Sequence, residues 1–455
     1  MTKTIDNKWW VLVAVGTGSL MSSLDGSVVN IILPVLREAF NSDVTTVEWI
    51  VTVYLLVLSG LLLTFGRLGD LRGHKNVYLW AFGIFVISSI MCGAAWSTTA
   101  LIVFRGIQAI GGAMLASNAP AIITGNFPPE ERGRAFGLAS TMTYLGLTIG
   151  PSLGGWLTDT IGWRSVFYIN VPIGTLALIL SLVFIPKDAP AISGKRFDIP
   201  GAIAFIAGLT SLMLGLNQGS EWGWGSPVVL GLLALAVIIL GVFLWIENHS
   251  DSPMLDLSLF KVPLFSASTA AAILNYIAIY SIIFLMPFYL IQGRGLNPSR
   301  AGLILTAQPI IMAIAAPISG SFSDRFGSRK PGMLGMGLLA AGLFLLSRLG
   351  GNSELWLVIL GLILAGLGTG MFISPNTSAL MGAAPRTHQG VASGVQATAR
   401  NFGMVLGIGL AGAIFTTQLA GNAADALFRG TSLGFLAGAV VALVGAFVSA
   451  AKQEG

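Results

Sequence analysis

Two charged residues lie where charges are expensive. Asp25 sits inside an apolar stretch that runs from Trp9 through Pro34, and Arg105 sits inside another. A carboxylate at mid-bilayer depth costs about 2.5–3.5 kcal/mol on insertion scales, so such a group faces a bundle interior or a cavity. A carboxyl that can shed its charge there suits a proton taken up and released in every cycle. Asp25 lies about nine residues from one end of its stretch and Arg105 about six from the matching end, so their depths differ by only about 5 Å. A long arginine stem covers that distance. Gln108 at i+3 and Gly112 at i+7 share the Arg105 face. A cation beside Asp25 favours the carboxylate and helps to release its proton. The pair therefore reads as proton coupling. The plainer alternatives are an aspartate that only bonds a neighbouring helix and an arginine that only anchors a helix end.

A second constellation occurs twice. GRLGDLRGHKN, Gly66 to Asn76, is echoed by GSFSDRFGSRK, Gly320 to Lys330, which departs from it at Ser321 and Ser323. Each copy follows one apolar run and precedes another. Gly66 and Gly69 permit close approach of backbones, and Asp70 can cap or salt-bridge the start of a neighbouring helix. Arg67, Arg72 and Lys75 supply charge and partners. Gly66, Asp70, Arg72, Asp324 and Arg325 are the candidate functional residues of these loops. The loop is expected to be solvent-accessible and free of core packing.

A third pattern, Gly146-x3-Gly150-Pro151-x2-Gly154-Gly155, places small residues on one helical stripe. Pro151 removes a backbone donor and can kink the helix. Such a stripe lets helices approach closely, whether to rock or merely to pack. Polar residues scattered through other apolar runs are candidate substrate contacts: Asn30, Gln108, Asn275, Tyr276, Tyr280, Gln308, Asn376, Gln396 and Arg400. Phe288 and Met312 would complete a roomy amphipathic pocket. Arg400 stands out, because an unpaired cation near mid-depth is costly.

These side chains need elements to carry them, and composition says which. The chain is 54% hydrophobic and 9% charged, against about 25% charged residues in soluble domains. A chain of this length and polarity takes the bilayer as its solvent. Its 58 glycines suit close helix packing in lipid. Apolar runs near the roughly 20 residues needed to cross a bilayer fall at 9–35, 47–66, 77–97, 99–124, 134–158, 164–185, 199–217, 226–247, 264–291, 300–322, 332–350, 355–380, 389–418 and 431–451. With the N-terminus inside, sixteen of the 24 Lys and Arg fall on inner segments, six on outer ones, and only Arg105 and Arg400 within spans. That asymmetry puts both termini in the cytoplasm. The surplus between the two basic loops, beyond what six spans need, fits one inserted helix pair.

Four signatures follow in order: LDGSVVNIILP (Leu24–Pro34), FRGIQAIGGA (Phe104–Ala113), GLTIGPSLGG (Gly146–Gly155) and WRSVFYINVPIG (Trp163–Gly174). With the duplicated basic loop, they resemble the fourteen-span drug:proton antiporter family of the major facilitator superfamily, the EmrB/QacA-like multidrug efflux transporters. The resemblance covers essentially the whole chain. It implies a latching role for the Asp70 loop and a conformational role for the Gly146–Gly155 stripe, which is associated with antiporters.

The expected protein is thus an all-α integral membrane protein with the major facilitator fold and 14 transmembrane helices. They form a six-helix half over 1–190, an inserted pair over 191–250 and a second six-helix half over 251–455. The expected function is proton-coupled export of amphipathic, cationic small molecules across the plasma membrane by alternating access. Alternatives are export of one specific metabolite, antibiotic or lipid-like compound, or a non-transporting sensor on the same fold. The expected partners are a small-molecule substrate, protons and the lipid bilayer, with the protein itself a monomer.

No enzyme chemistry is expected. Gly407-Ile-Gly409-Leu-Ala-Gly412 matches a dinucleotide fingerprint but lies in an apolar helix with no preceding strand. No GxxxxGK[ST] loop exists, so the driving force is the proton gradient rather than a cofactor. One Cys, Cys92, and three scattered His, His74, His249 and His388, all expected in loops, make no metal cluster. The net charge of +5 does not mean nucleic acid, because the cations lie in short loops on one side of a membrane.

Overall fold

The computed structural model describes residues 7–42, 44–188, 197–223, 225–250, 253–296, 298–419 and 425–451. Lys3, Lys195, Arg196 and Lys452, counted above for orientation, and the boundary expected at 190/191 lie outside the described residues. Apolar runs become long helices throughout. The first set is α1 (Asn7–Phe40), α2 (Val44–Arg72), α3 (His74–Gly93), α4 (Thr98–Asn126), α5 (Arg132–Thr160), the short α6 (Ser165–Tyr168) and α7 (Asn170–Phe184). Two more, α8 (Ile199–Trp222) and α9 (Pro227–His249), are followed by α10 (Pro263–Pro287). The remainder are α11 (Pro298–Leu305), α12 (Ala307–Phe326), α13 (Arg329–Ser347), α14 (Leu355–Ala383), α15 (Gln389–Leu419) and α16 (Ala426–Ala450).

Local chemistry sets the ends. Ser97 caps α4 by accepting from the Ala100 N–H at 3.1 Å, and Asp198 caps α8 through Gly201 N–H at 2.8 Å; each satisfies a donor that the helix itself leaves free. Proline opens α9, α10 and α11, where its missing N–H costs nothing. Gly73, at φ 87°, makes the tight turn from α2 to α3.

Among the described residues, thirteen helical segments are long and apolar enough to cross a membrane. The run expected at 134–158 is absent from that set. It is a helix of 29 residues, α5, but its glycines, serines and threonines lower its hydropathy. It packs closely on α1 and α12.

Two large apolar cores fill the bundle. One is built on α1 to α5 and α7 with the inner sides of α8 and α9, and runs on into α10, α14 and α15; the other gathers α10, α13, α14, α15 and α16. The halves join chiefly through α2 with α15 and α5 with α12, with smaller contacts of α15 on α4 and of α14 on α5. The inserted helix α8 packs on α9, α2 and α15. Helix α9 is the most apolar span and the least buried, as a helix with lipid for a neighbour should be.

Candidate functional site

Asp25 and Arg105 meet. Asp25, on α1, is 1% exposed, and its Oδ2 accepts from Arg105 Nη1 on α4 at 2.7 Å. Its Oδ1 accepts from Gln108 Nε2 at 3.1 Å and from Asn170 Nδ2, at the start of α7, at 2.7 Å. Gln108 also takes a bond from Arg105 Nη1 at 2.6 Å and donates to Ser89 Oγ at 2.8 Å. The guanidinium lies 4.1 Å from the ring centre of Tyr54 on α2, a cation–π contact on its open face. Within this nest Arg105 Nε and Asn170 Oδ1 have no hydrogen-bond partner. A buried ion pair is tolerated only when its remaining lone pairs are also bonded, and Gln108 and Asn170 do that for the carboxylate.

Gln108 therefore belongs to the acid site rather than to a substrate wall. Asn170, Ser89 and Tyr54 were not singled out from sequence. For Asn170 a signal was present, since it lies in WRSVFYINVPIG. Ser89 and Tyr54 are ordinary apolar-run residues whose role appears only when helices are packed.

The two basic loops form two latches at one end of the bundle. Asp70 Oδ1 and Oδ2 accept from the backbone N–H groups of Gly390 (2.8 Å) and Val391 (3.0 Å), in the first turn of α15. Asp324 does the same for Gly133 (2.7 Å) and Arg134 (2.9 Å), in the first turn of α5. Each carboxylate thus caps a helix of the opposite half, where unpaired N–H groups and the helix dipole favour an anion. The glycines fit this. A Cβ on Gly66 would overlap the Gly390 carbonyl oxygen, and one on Gly320 would overlap that of Gly133.

Three expectations change here. Asp70 is fully buried, not solvent-accessible, because α15 closes over it. His74 is in the first turn of α3, not in a loop, with Nε2 3.4 Å from Asp70 and Nδ1 2.8 Å from Asn118. Arg72 and Arg325 are exposed and take no part in either latch. Lys75 instead holds the end of α7 through the carbonyls of Leu182 (3.0 Å) and Ile185 (2.5 Å). Asp256, in the stretch between α9 and α10, is 3.6 Å from His388, just before α15. Burial opposes its charge, but bonds from Ser258 and the nearness of His388 and Arg67 hold its carboxyl below the usual range.

On the Gly146–Gly155 stripe, Gly146 lies against Leu20 and Ser23, Gly150 against Ser27, and Gly154 against Val28, all on α1. Ser27 Oγ donates to the Gly146 carbonyl at 3.3 Å. Pro151 is inside α5. Gly155 faces open space and is not part of this contact, being off the i, i+4 register of the other three.

The candidate substrate residues separate into two groups. Asn275 is buried against Met336 (3.2 Å), Asn376 donates to the Ser268 carbonyl (3.1 Å), and Asn30 is exposed and bonds Gly26 of its own helix (3.2 Å). Phe288 packs on Phe284 and Phe415, away from the centre. Tyr276 and Tyr280, with ring centres 6.5 Å apart, pack instead with Met312 and with Tyr144 of α5. Arg400 is near enough to Tyr54, Tyr144, Tyr276 and Tyr280 to interact with each electrostatically. Gln396, one turn away on α15, donates to Thr377 Oγ1 at 2.6 Å, and Gln308 is buried on α12.

The model of the Major Facilitator Superfamily matches residues 15–274 and 268–452. The chain is 34% identical to the riboflavin transporter RibZ of Clostridioides difficile over 415 residues, 91% of this chain and 90% of that protein. It is 32% identical to the multidrug resistance protein Stp of Mycobacterium tuberculosis over 409 residues, 90% of this chain and 76% of that one. The crystal structure of the human organic anion transporter MFSD10 (TETRAN) superposes with a TM-score of 0.71 at 16% identity, covering 97% of this chain and 99% of that one. At that identity the likeness concerns the fold alone.

Proposed function

This chain belongs to the Major Facilitator Superfamily, a multi-pass membrane transporter rather than an enzyme, and we propose that it exports amphipathic small molecules in exchange for protons by alternating access. The observation that carries this reading is the sealed Asp25 site. A carboxylate there accepts from three groups at once, Arg105, Gln108 and Asn170, and Gln108 is itself tied back to Arg105. Protonation replaces an acceptor by an O–H donor. It breaks the ion pair and leaves Arg105 to Gln108 Oε1, which it already touches. Asn170 Oδ1, buried without a partner, is an acceptor beside the carboxyl. One proton thus rewires the contacts of α1, α4 and α7 together. The proton enters from outside and leaves inward, supplying roughly 2.3 kcal/mol per 100 mV of potential.

Both latches join the halves at the end where the basic residues cluster. We place that end in the cytoplasm by the positive-inside rule. The described conformation is then closed on the inside. We also count α5 as a span, giving six, two and six, so a reporter at Gly223 should lie outside.

Breadth of substrate is less constrained. The relative named a multidrug resistance protein favours a broad range, and the one named a riboflavin transporter favours a single metabolite. The cationic preference expected from sequence has no acid to rest on, because Asp25, the one acid at mid-depth among the described residues, is held by Arg105.

The test is transport by purified protein in liposomes under an imposed pH gradient. Asp25→Asn should abolish concentrative transport, with the protein still folded. Asp25→Glu should keep part of it, because a titratable group survives. Full concentrative transport by Asp25→Asn would refute the assignment.

A further inference from the structure

Among the described residues, the membrane interior of this protein holds two arginines, and only one has an anion. Arg105 is paired with Asp25. Arg400 is half-buried on α15 and, among the described residues, has no carboxylate within ion-pairing distance; its one bond is to Asn401 Oδ1 at 3.4 Å. Counting 1.5 Å per residue from the latched end of each helix, Arg400, Tyr144 and Tyr276 lie roughly 16–20 Å in. Asp25, Tyr54 and Arg105 lie roughly 27–32 Å in by the same count. The unpaired cation is therefore at mid-depth, where it cannot reach either water interface by extending its stem.

Its neighbours come from both halves. Tyr54 on α2 and Tyr144 on α5 belong to the first half, and Tyr276 and Tyr280 on α10 to the second. Arg400 consequently sits between the halves, not against lipid. Tyr276, Tyr280 and Arg400 are only half-buried there, although the latches close one end, so space remains beside them. Two buried amide groups near the same layer have atoms without partners: Gln396 Oε1, one turn from Arg400, and Gln308 Nε2, one turn from Met312 of the tyrosine cluster.

Resting on the reading of this protein as a central-cavity exporter, we infer that its substrates are planar aromatic compounds bearing a negative charge. Arg400 binds the anionic group, and Tyr144, Tyr276 and Tyr280 hold the ring. Tyrosine faces stack on aromatic rings of either charge and would also attract a cation. Arg400 decides between them. The Asp25–Arg105 pair contributes no net charge, so the layer that meets the ligand is positive. The guanidinium forms bidentate bonds to a carboxylate or similar anion, and the two free amide atoms add one acceptor and one donor at the ring edge.

A pair of dyes that share a ring system tests this. Binding of fluorescein, an anionic xanthene, and rhodamine 123, a cationic one, is measured by fluorescence polarisation on the purified full-length protein, without any gradient. Fluorescein should bind at least about tenfold more tightly, the scale of one charge-assisted contact. Arg400→Met should remove that preference. Arg400→Lys should keep most of it, and it guards against a variant that simply fails to fold. Tyr276→Leu should weaken both dyes. Tighter binding of rhodamine 123, equal binding, or binding of neither dye overturns the inference. Proton-driven transport of rhodamine 123 that Asp25→Asn abolishes would overturn the substrate class while leaving proton-coupled export standing.

Discussion

At Asp70 the carboxylate is sealed. Gly390 and Val391 donate to it from α15, His74 stands beside it, and Arg67, buried to 2% exposure, lies one turn before it. At Asp324 the same two backbone bonds are made to α5, but the carboxylate is only half-buried. The positions equivalent to Arg67 and His74 are Ser321 and Ser328. Ser321 spends its hydroxyl on Pro317 of its own helix at 2.9 Å. The two latches therefore share one bonding scheme and differ in what surrounds it. A charge–dipole contact weakens as water screens it, from about 2 kcal/mol in partly buried geometry to 0.3–1 kcal/mol at a surface. Burial and second partners, rather than the aspartate itself, should make the first latch the stronger.

The largest effect is expected from Gly66→Ala. The added methyl meets the backbone of Gly390, not a flexible side chain, so α2 and α15 must separate and Asp70 loses reach. Concentrative transport should fall at least about tenfold, the scale of an overpacking cost of 1–3 kcal/mol; wild-type rates would show that the contact is looser than described.

Asp70→Asn comes next. An amide can accept one of the two N–H bonds but presents a donor to the other. Cysteine accessibility from the cytoplasmic side should shift toward the inward-open state by about tenfold, equivalent to about 1.4 kcal/mol. Asp324→Asn should shift the same readout by about two- to fivefold, as a more exposed contact would. An equal shift at both sites would break the comparison. Arg72→Gln and Arg325→Gln, both exposed, should stay within about twofold of wild type in transport, as surface substitutions do. A larger loss from either would mean that its charge acts in a state other than this one.

Much of this was legible in the chain because it rests on one-dimensional facts. Hydropathy runs gave the helices, the duplicated loop marked two equivalent turns, and depth counting placed Asp25 opposite Arg105. Packing was harder to read. Nothing local says that α15 folds over Asp70, so a loop rich in charge looked exposed. Gln108 and Asn275 looked like wall residues because polarity in an apolar run does not reveal which face is turned inward. Tyr144 was overlooked for the converse reason: its importance comes from α10 and α15, more than a hundred residues away. The span α5 shows the limit of hydropathy itself, since a helix that packs on protein through glycine has less need to be greasy.

The inserted helix α8 bears on one seam only. It packs on α2 and α15, the two helices that Asp70 ties together and that Asn401 and Ser59 also bridge at 2.9 Å. Gly60 of α2 lies against Ile206 and Thr210 of α8. The insert makes no such contact across α5 and α12. The two halves are copies of one another, but their seams are not. On the proposed alternating-access cycle, parting α2 from α15 must drag or shear this protein splint, whereas parting α5 from α12 does not. Rocking on that cycle is thus lopsided by construction, with a stiff flank and a soft one.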